Sequence, residues 1–172
     1  MSIAKTAKDI IRPAWHWFSD AFPVQATQII YKKHFGRFPN LNNPETFTEK
    51  LQWLKLNKYS HNPIITQCVD KYYVRKYVSE HGCEELLNTV IGYWTSVEEI
   101  PWEELPDKFA LKCTHGCGYN IICNDKRQLD INESQKLLKR WMSKKYDSDA
   151  VEMIYDDVQP GIICEEYIES DS

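Results

Sequence analysis

Long apolar runs are missing from this sequence. No uninterrupted apolar stretch among its 172 residues approaches the roughly 20 residues that cross a bilayer. Residues 1–12 also lack the apolar core of a secretory signal, so the expectation is a cytoplasmic protein with no transmembrane segment. A surplus of positive charge is missing too. Lys and Arg total 21 against 25 Asp and Glu, and the resulting net charge of −4 argues against a general nucleic-acid binder. Cys-x-x-Cys pairs are absent, although there are six cysteines. Without a signal, and with three of them in strand-like apolar runs, they read as reduced core residues. A zinc set of Cys113, His115, Cys117 and Cys123 would need a special loop to bring alternating strand positions together, so no metal site is expected. No internal repeat or low-complexity segment is present.

What is there is a globular composition, 42% apolar and 27% charged, with six Trp, ten Tyr and six Phe to fill a core. The length suits one ordinary domain or two small ones. Residues 1–38 read as helical and rich in aromatics, with Ile29, Ile30 and Lys33 on one stripe. The run Ala14-Trp15-His16-Trp17-Phe18 is able to rest on a membrane surface, but a terminal helix that is buried or faces a partner is the favoured reading. Asn43 to Glu49 marks a helix start, with Thr46 and Glu49 at capping-box spacing and Asn43 an alternative cap. Phe47, Leu51 and Leu54 then define its apolar face, with Glu49 on the polar side. Arg37 either meets an acidic group or is solvated.

A second helical stretch runs from Pro63 to Val78 and is ended by Gly82. Its apolar stripe takes in Cys68, Tyr73, Val74, Tyr77 and Val78. Lys71 and Arg75 are four apart, which puts two positive charges on one helical face that either holds an anion or is simply solvated. Thr89 to Trp94 reads as a strand, and Val97 to Pro106 as irregular or briefly helical. A basic helix follows Asn124, with Asn132 and Gln135 as candidate caps and Leu137, Leu138, Trp141 and Met142 on its apolar side. Ile162 to Ile168 reads as a closing strand.

The most informative stretch is Phe109-Ala-Leu-Lys-Cys-Thr-His-Gly-Cys-Gly-Tyr-Asn-Ile-Ile-Cys123, a strand, a glycine-bearing turn and a second strand. Gly116 and Gly118 let backbone come close to a ligand, and successive N–H groups can converge on an anion. Lys112 adds a positive charge on the entering strand. A phosphate uses both features; a plain hairpin with a solvated lysine is the alternative.

Taken together and in order, these segments resemble the TupA-like ATP-grasp proteins of bacterial polysaccharide and teichuronopeptide biosynthesis. The resemblance rests on Asn43-Pro-Glu-Thr-Phe-Thr-Glu-Lys-Leu-Gln-Trp53, on Asp70-Lys71 with Arg75, on the 109–123 stretch, and on Ile163-Cys-Glu-Glu-Tyr-Ile168. It implies an α+β fold, with a helical N-terminal region (1–60) followed by the N-terminal half of an ATP-grasp fold (61–172). A small antiparallel sheet and glycine-loop subdomain would occupy about 106–168. It also implies site roles. Lys71 and Lys112 would contact ATP phosphates, and Gly116 to Asn120 would form the loop over them. Glu165, Glu166, Tyr167 and Ile168 would lie along the adenine. His115 would contact phosphate or brace the loop.

The implied activity is ATP-dependent carboxylate–amine ligation on a cell-surface polysaccharide or its precursor. Magnesium would bridge the phosphates. The family's metal ligands follow the adenine linker and this sequence stops at Ser172, so a truncated clamp without its magnesium ligands is the expectation. Cys117 stands where Ser or Gly is expected. Two other functions stay open: a glycosyltransferase using Asp147-Ser148-Asp149 as its metal motif, and a non-catalytic remnant.

Overall fold

The computed structural model describes residues 3–144, 146 and 151–169, with side chains from Arg12 onward. The chain divides into two compact units, Met1–Asn62 with Asp147–Asp156, and Pro63–Tyr146 with Asp157–Ser172. Asp147-Ser148-Asp149 lies outside the described residues.

The first unit is helical: α1 (Ile3–Ala21), α2 (Pro23–Phe35) and α3 (Phe47–Leu54), which runs into a π-helical turn at Lys55–Tyr59. Pro23 opens α2, where its missing N–H costs nothing, and Gly36 closes it in the left-handed conformation. The buried side of α2 is Ala26, Thr27 and Tyr31; Ile29 and Lys33, placed on the stripe by spacing, are exposed.

A larger correction concerns α3. Phe47 and Leu51 are exposed, whereas Glu49 is buried. Its Oε1 accepts from Arg37 Nη1 at 2.6 Å and from the Asn40 amide at 3.0 Å, and its Oε2 accepts from the amides of Glu45 and Thr46. Thr46 Oγ1 accepts from the Glu49 amide in return, completing the capping box. The hydrogen bond from Arg37, with those amides, holds the Glu49 carboxyl well below the usual carboxylate range. A carboxylate with that many donors outcompetes two apolar side chains for the interior.

The second unit is α+β. Helices α4 (Pro63–Val69) and α5 (Val74–Glu80) precede β1 (Val90–Trp94), β2 (Phe109–Cys113), β3 (Asn120–Cys123), α6 (Ile131–Met142) and β4 (Ile162–Glu166). The strands form one sheet in the order β1-β4-β2-β3, every neighbouring pair antiparallel. Val97 to Glu104 contributes two 3-10 turns. Asp130, rather than Asn132 or Gln135, caps α6 by accepting from the Glu133 amide at 3.0 Å. Tyr73, assigned to the apolar stripe by spacing, is exposed.

Strand alternation gives the sheet two different faces. Phe109, Leu111, Cys113, Ile162 and Cys164 point to one side and join Leu138 of α6 and Trp102 in the core. Lys139 fastens α6 to the first 3-10 turn through Glu98 at 2.7 Å. The opposite face carries Ala110, Lys112, Asn120, Ile122, Ile163 and Glu165, as the register of β2 with β3 and β4 requires. All six cysteines are free, with Cys113, Cys123 and Cys164 in the interior.

Burial predicts opposite sensitivities. Leu138 is fully buried, so Leu138→Ala will destabilise the protein by about 2–5 kcal/mol in urea unfolding. Ile122 is 57% exposed, so Ile122→Ala will change stability by less than about 0.5 kcal/mol. Equal losses at both positions would contradict this placing of the core.

Candidate functional site

The polar face of the sheet and the turn before α5 carry the chemistry. Asp70 is buried at that turn, and its Oδ1 accepts from the amides of Tyr72 and Tyr73 at 2.8 and 2.9 Å. Burial raises the Asp70 pKa above its ordinary value, the two amides opposing it. This local cap turns the chain from α4 into α5 and fixes where Lys71 leaves the backbone. Lys71 therefore sits in a turn, and not on a helical face shared with Arg75. Tyr72 stacks on Tyr93 of β1 with ring centroids 4.0 Å apart, which anchors the turn to the sheet.

From there Lys71 Nζ donates to the carbonyl of Cys113 at 2.9 Å and to the carbonyl of Gly116. Burial pushes the Lys71 pKa down, and the positive charge of Lys112 adds to that lowering. The two amines named from the sequence thus feel each other's charge. The glycine turn meets Lys71 with carbonyls, the reverse of the anion-binding polarity expected of its N–H groups. Its exposed tip differs. The amides of Cys117 and Gly118 donate to no partner among the described residues.

Two glycines fit this turn for different reasons. Gly118 has φ +80°, a conformation that L side chains rarely adopt. A Cβ on Gly116 would lie 2.2 Å from Cδ2 of Tyr146, so only a bare backbone lets that ring cover the turn. His115 is buried beneath it, with Nε2 3.1 Å from the carbonyl of Trp141. It braces the turn against the end of α6, and its ring is not offered to a ligand at the surface.

Lys112 leaves β2 on the polar face and donates to Glu165 Oε2 at 2.5 Å. Glu165 Oε1 also lies 3.8 Å from Arg75 Nη1. Glu165 is buried and faces two cations through its side chain, a role that the linker reading did not foresee. The signal was strand parity: Ala110 opposes Glu165, which puts Glu165 on the face of Lys112. Asn120 opposes Lys112 from β3 and shares that face.

The remaining linker residues lie at the end of β4. The Glu166 amide donates to the Thr89 carbonyl at 3.0 Å and its carbonyl accepts from Asn88 Nδ2 at 2.8 Å. Its main chain is therefore engaged by the segment before β1. Tyr167 and Ile168 follow beyond the strand, Ile168 exposed and Tyr167 with the Lys108 ammonium over its ring. Among the described residues no three His, Cys, Asp or Glu side chains come together as a metal site.

His115 yields a pH test. Burial lowers its pKa below the ordinary 6.5, while its bond to the Trp141 carbonyl opposes that shift. Below that ordinary value the unfolded chain holds a proton that the folded chain refuses, so stability falls as pH drops through the histidine range. In His115→Gln the amide N–H still reaches the Trp141 carbonyl but no longer titrates. The variant will lose less stability than the parent between neutral and mildly acid pH in urea melts; parallel curves would remove His115 as the source.

A model of the TupA-like ATPgrasp family matches residues 49–172, a range that starts at Glu49 within α3 and includes the residues of the site just described. Neither the curated proteins nor the solved structures gave a match. By the extent of the family match, the chain belongs to the TupA-like ATP-grasp family.

Proposed function

We propose that the chain binds ATP over the polar sheet face, with its phosphates between Lys71, Lys112 and the tip of the glycine turn. The observation that carries this reading is the convergence of the two amines. Lys71 comes from the turn before α5 and ends on the carbonyls of Cys113 and Gly116, while Lys112 leaves β2 one residue before Cys113 and ends on Glu165 of the neighbouring β4. Both now hold uncharged carbonyls or a single carboxylate. A triphosphate offers each ammonium several anionic oxygens, where Lys71 now has only carbonyls and Lys112 one shared carboxylate. The amides of Cys117 and Gly118 supply further donors at the tip.

Tyr167 and Ile168, beyond the paired part of β4, are the linker positions suited to an adenine. Ile168 gives an apolar cover, and the Glu166 main chain is already committed to Asn88 and Thr89. Family membership supports ligase-like chemistry, in which the nucleotide activates a carboxylate for attack by an amine. The resemblance further suggests a cell-surface polysaccharide or its precursor as acceptor. Binding and orientation of the phosphates are the parts this chain's residues serve. Magnesium is a different matter. The described residues do not gather a set of acidic donors, and Glu165 is already opposed by two cations. No step is assigned to a metal here.

Calorimetric titration with ATP in the presence of magnesium tests the reading. Lys71→Met and Lys112→Met will each weaken ATP binding by about tenfold to a hundredfold, the usual cost of losing a charged hydrogen bond. A folded parent that gives no ATP signal, or lysine variants that bind as the parent does, would refute the assignment.

A further inference from the structure

The sheet has two unlike edges. An edge strand leaves N–H and C=O groups without a neighbour, and so offers a place where another chain can add. At one end β1 has a register irregularity between Val90 and Gly92, which disrupts regular pairing. At the other end β3 pairs with β2 through all four of its residues, and among the described residues no strand lies beyond it. The Cys113 amide donates to the Tyr119 carbonyl, so by alternation Ile121 and Cys123 also bond to β2. Asn120 and Ile122 then turn their main-chain groups to the free side. Asn120-Ile-Ile-Cys123 contains neither a charge nor a proline, the residues that commonly guard an edge.

Beside β3 lies a groove of about 590 Å³, lined by Ile121, Leu129 and one side of α6. On that side Asp130, Glu133, Leu137 and Arg140 follow at steps of three and four, with Lys144 the next step past the helix end. Two acidic residues precede Leu137 and two basic residues follow it. Turned end for end, the row is its own complement: Asp130 meets Lys144, Glu133 meets Arg140, and Leu137 meets Leu137. A ligand of one sign would set like charges together at one end. The Glu133–Lys136 pair along the helix is exposed at both side chains, so it competes little.

One symmetry operation serves both features. A two-fold axis through the sheet sets two β3 strands antiparallel and edge to edge, using their main chains, and lays the two α6 helices antiparallel on one face. That is the face of Phe109 and Leu111, opposite the one that carries Lys112. We infer that two copies of this chain associate through β3 and α6, with Glu133 of each copy against Arg140 of the other and the Leu137 side chains at the centre.

Sedimentation equilibrium of the full chain reads the association without nucleotide. The parent will sediment at twice the 20.3 kDa of one chain, and salt will weaken the pairing. Glu133→Lys sets like charges together at both symmetric contacts, and so does Arg140→Glu. Each will weaken association by about a hundredfold, roughly tenfold per contact. Both side chains are exposed, so the variants will keep the parent's circular dichroism spectrum. Glu133→Lys/Arg140→Glu in one chain will dimerise again, and an equimolar mixture of the two single variants will form a mixed dimer. A parent that stays monomeric at every concentration reached overturns the inference and gives the groove to a different partner. It is overturned equally by a dimer that neither single variant weakens, which would place the contact on another surface. Failure of both the double variant and the mixture to restore association would refute the pairing of Glu133 with Arg140.

Discussion

A single ammonium group holds the second unit's chemistry in register. Lys71 reaches across 42 positions of sequence to the carbonyl of Cys113, and to the carbonyl of Gly116 in the turn itself. The Asp70 cap and the Tyr72–Tyr93 stack fix the root of that side chain, while Tyr146 and His115 fix the turn it grips. Without the ammonium, the carbonyls of Cys113 and Gly116 would lose the donor they share. Burial costs the Lys71 charge some of its stability, as the lowered pKa records. The contact is therefore made with a cation that gains by exchanging neutral carbonyl oxygens for anionic ones.

The first unit uses the same physical device with the opposite sign. There a buried carboxylate, Glu49, gathers the half-exposed Arg37 guanidinium and three backbone amides into one knot. That knot joins the end of the segment after α2 to the start of α3. In both units a charged side chain, more than an apolar one, decides the path of an irregular connection. Such connections have backbone groups that helices and strands do not satisfy, and an ion with several bonding directions satisfies them locally.

The α+β class, the hairpin at 109–123 and the helical N-terminal region were legible because each follows from local pattern. Phe109, Leu111 and Cys113 alternate with Ala110 and Lys112, and Gly116 and Gly118 punctuate the turn. Long-range consequences were not legible. Glu49 lies three residues after Thr46, which reveals the capping box, but nothing local says that Arg37 will neutralise it. Phe47 and Leu51 consequently looked like core and are solvent-facing. Lys71 and Arg75 at a spacing of four read as one helical face because the break at Asp70 depends on burial of that carboxylate. Glu165 faces Lys112 only because β4 pairs with β2 in one register, and strand register is set by the whole sheet.

Charge on the polar face argues for what belongs there. Lys71, Arg75 and Lys112 bring three cations to one side of the sheet and its adjoining turn. Glu165 opposes two of them, and Asp70 is spent on backbone amides, its ionised form disfavoured by burial. Within a chain of net charge −4 this local excess is the exception. Glu165 cannot offset it alone, because one carboxylate is shared between Lys112 at 2.5 Å and Arg75 at 3.8 Å. An anion with many oxygens would relieve the shared carboxylate and the carbonyl-bound ammonium at once. A monovalent anion could satisfy only one of them. Two cations on one carboxylate, and a third held only by carbonyls, therefore favour a polyphosphate over a simple ion.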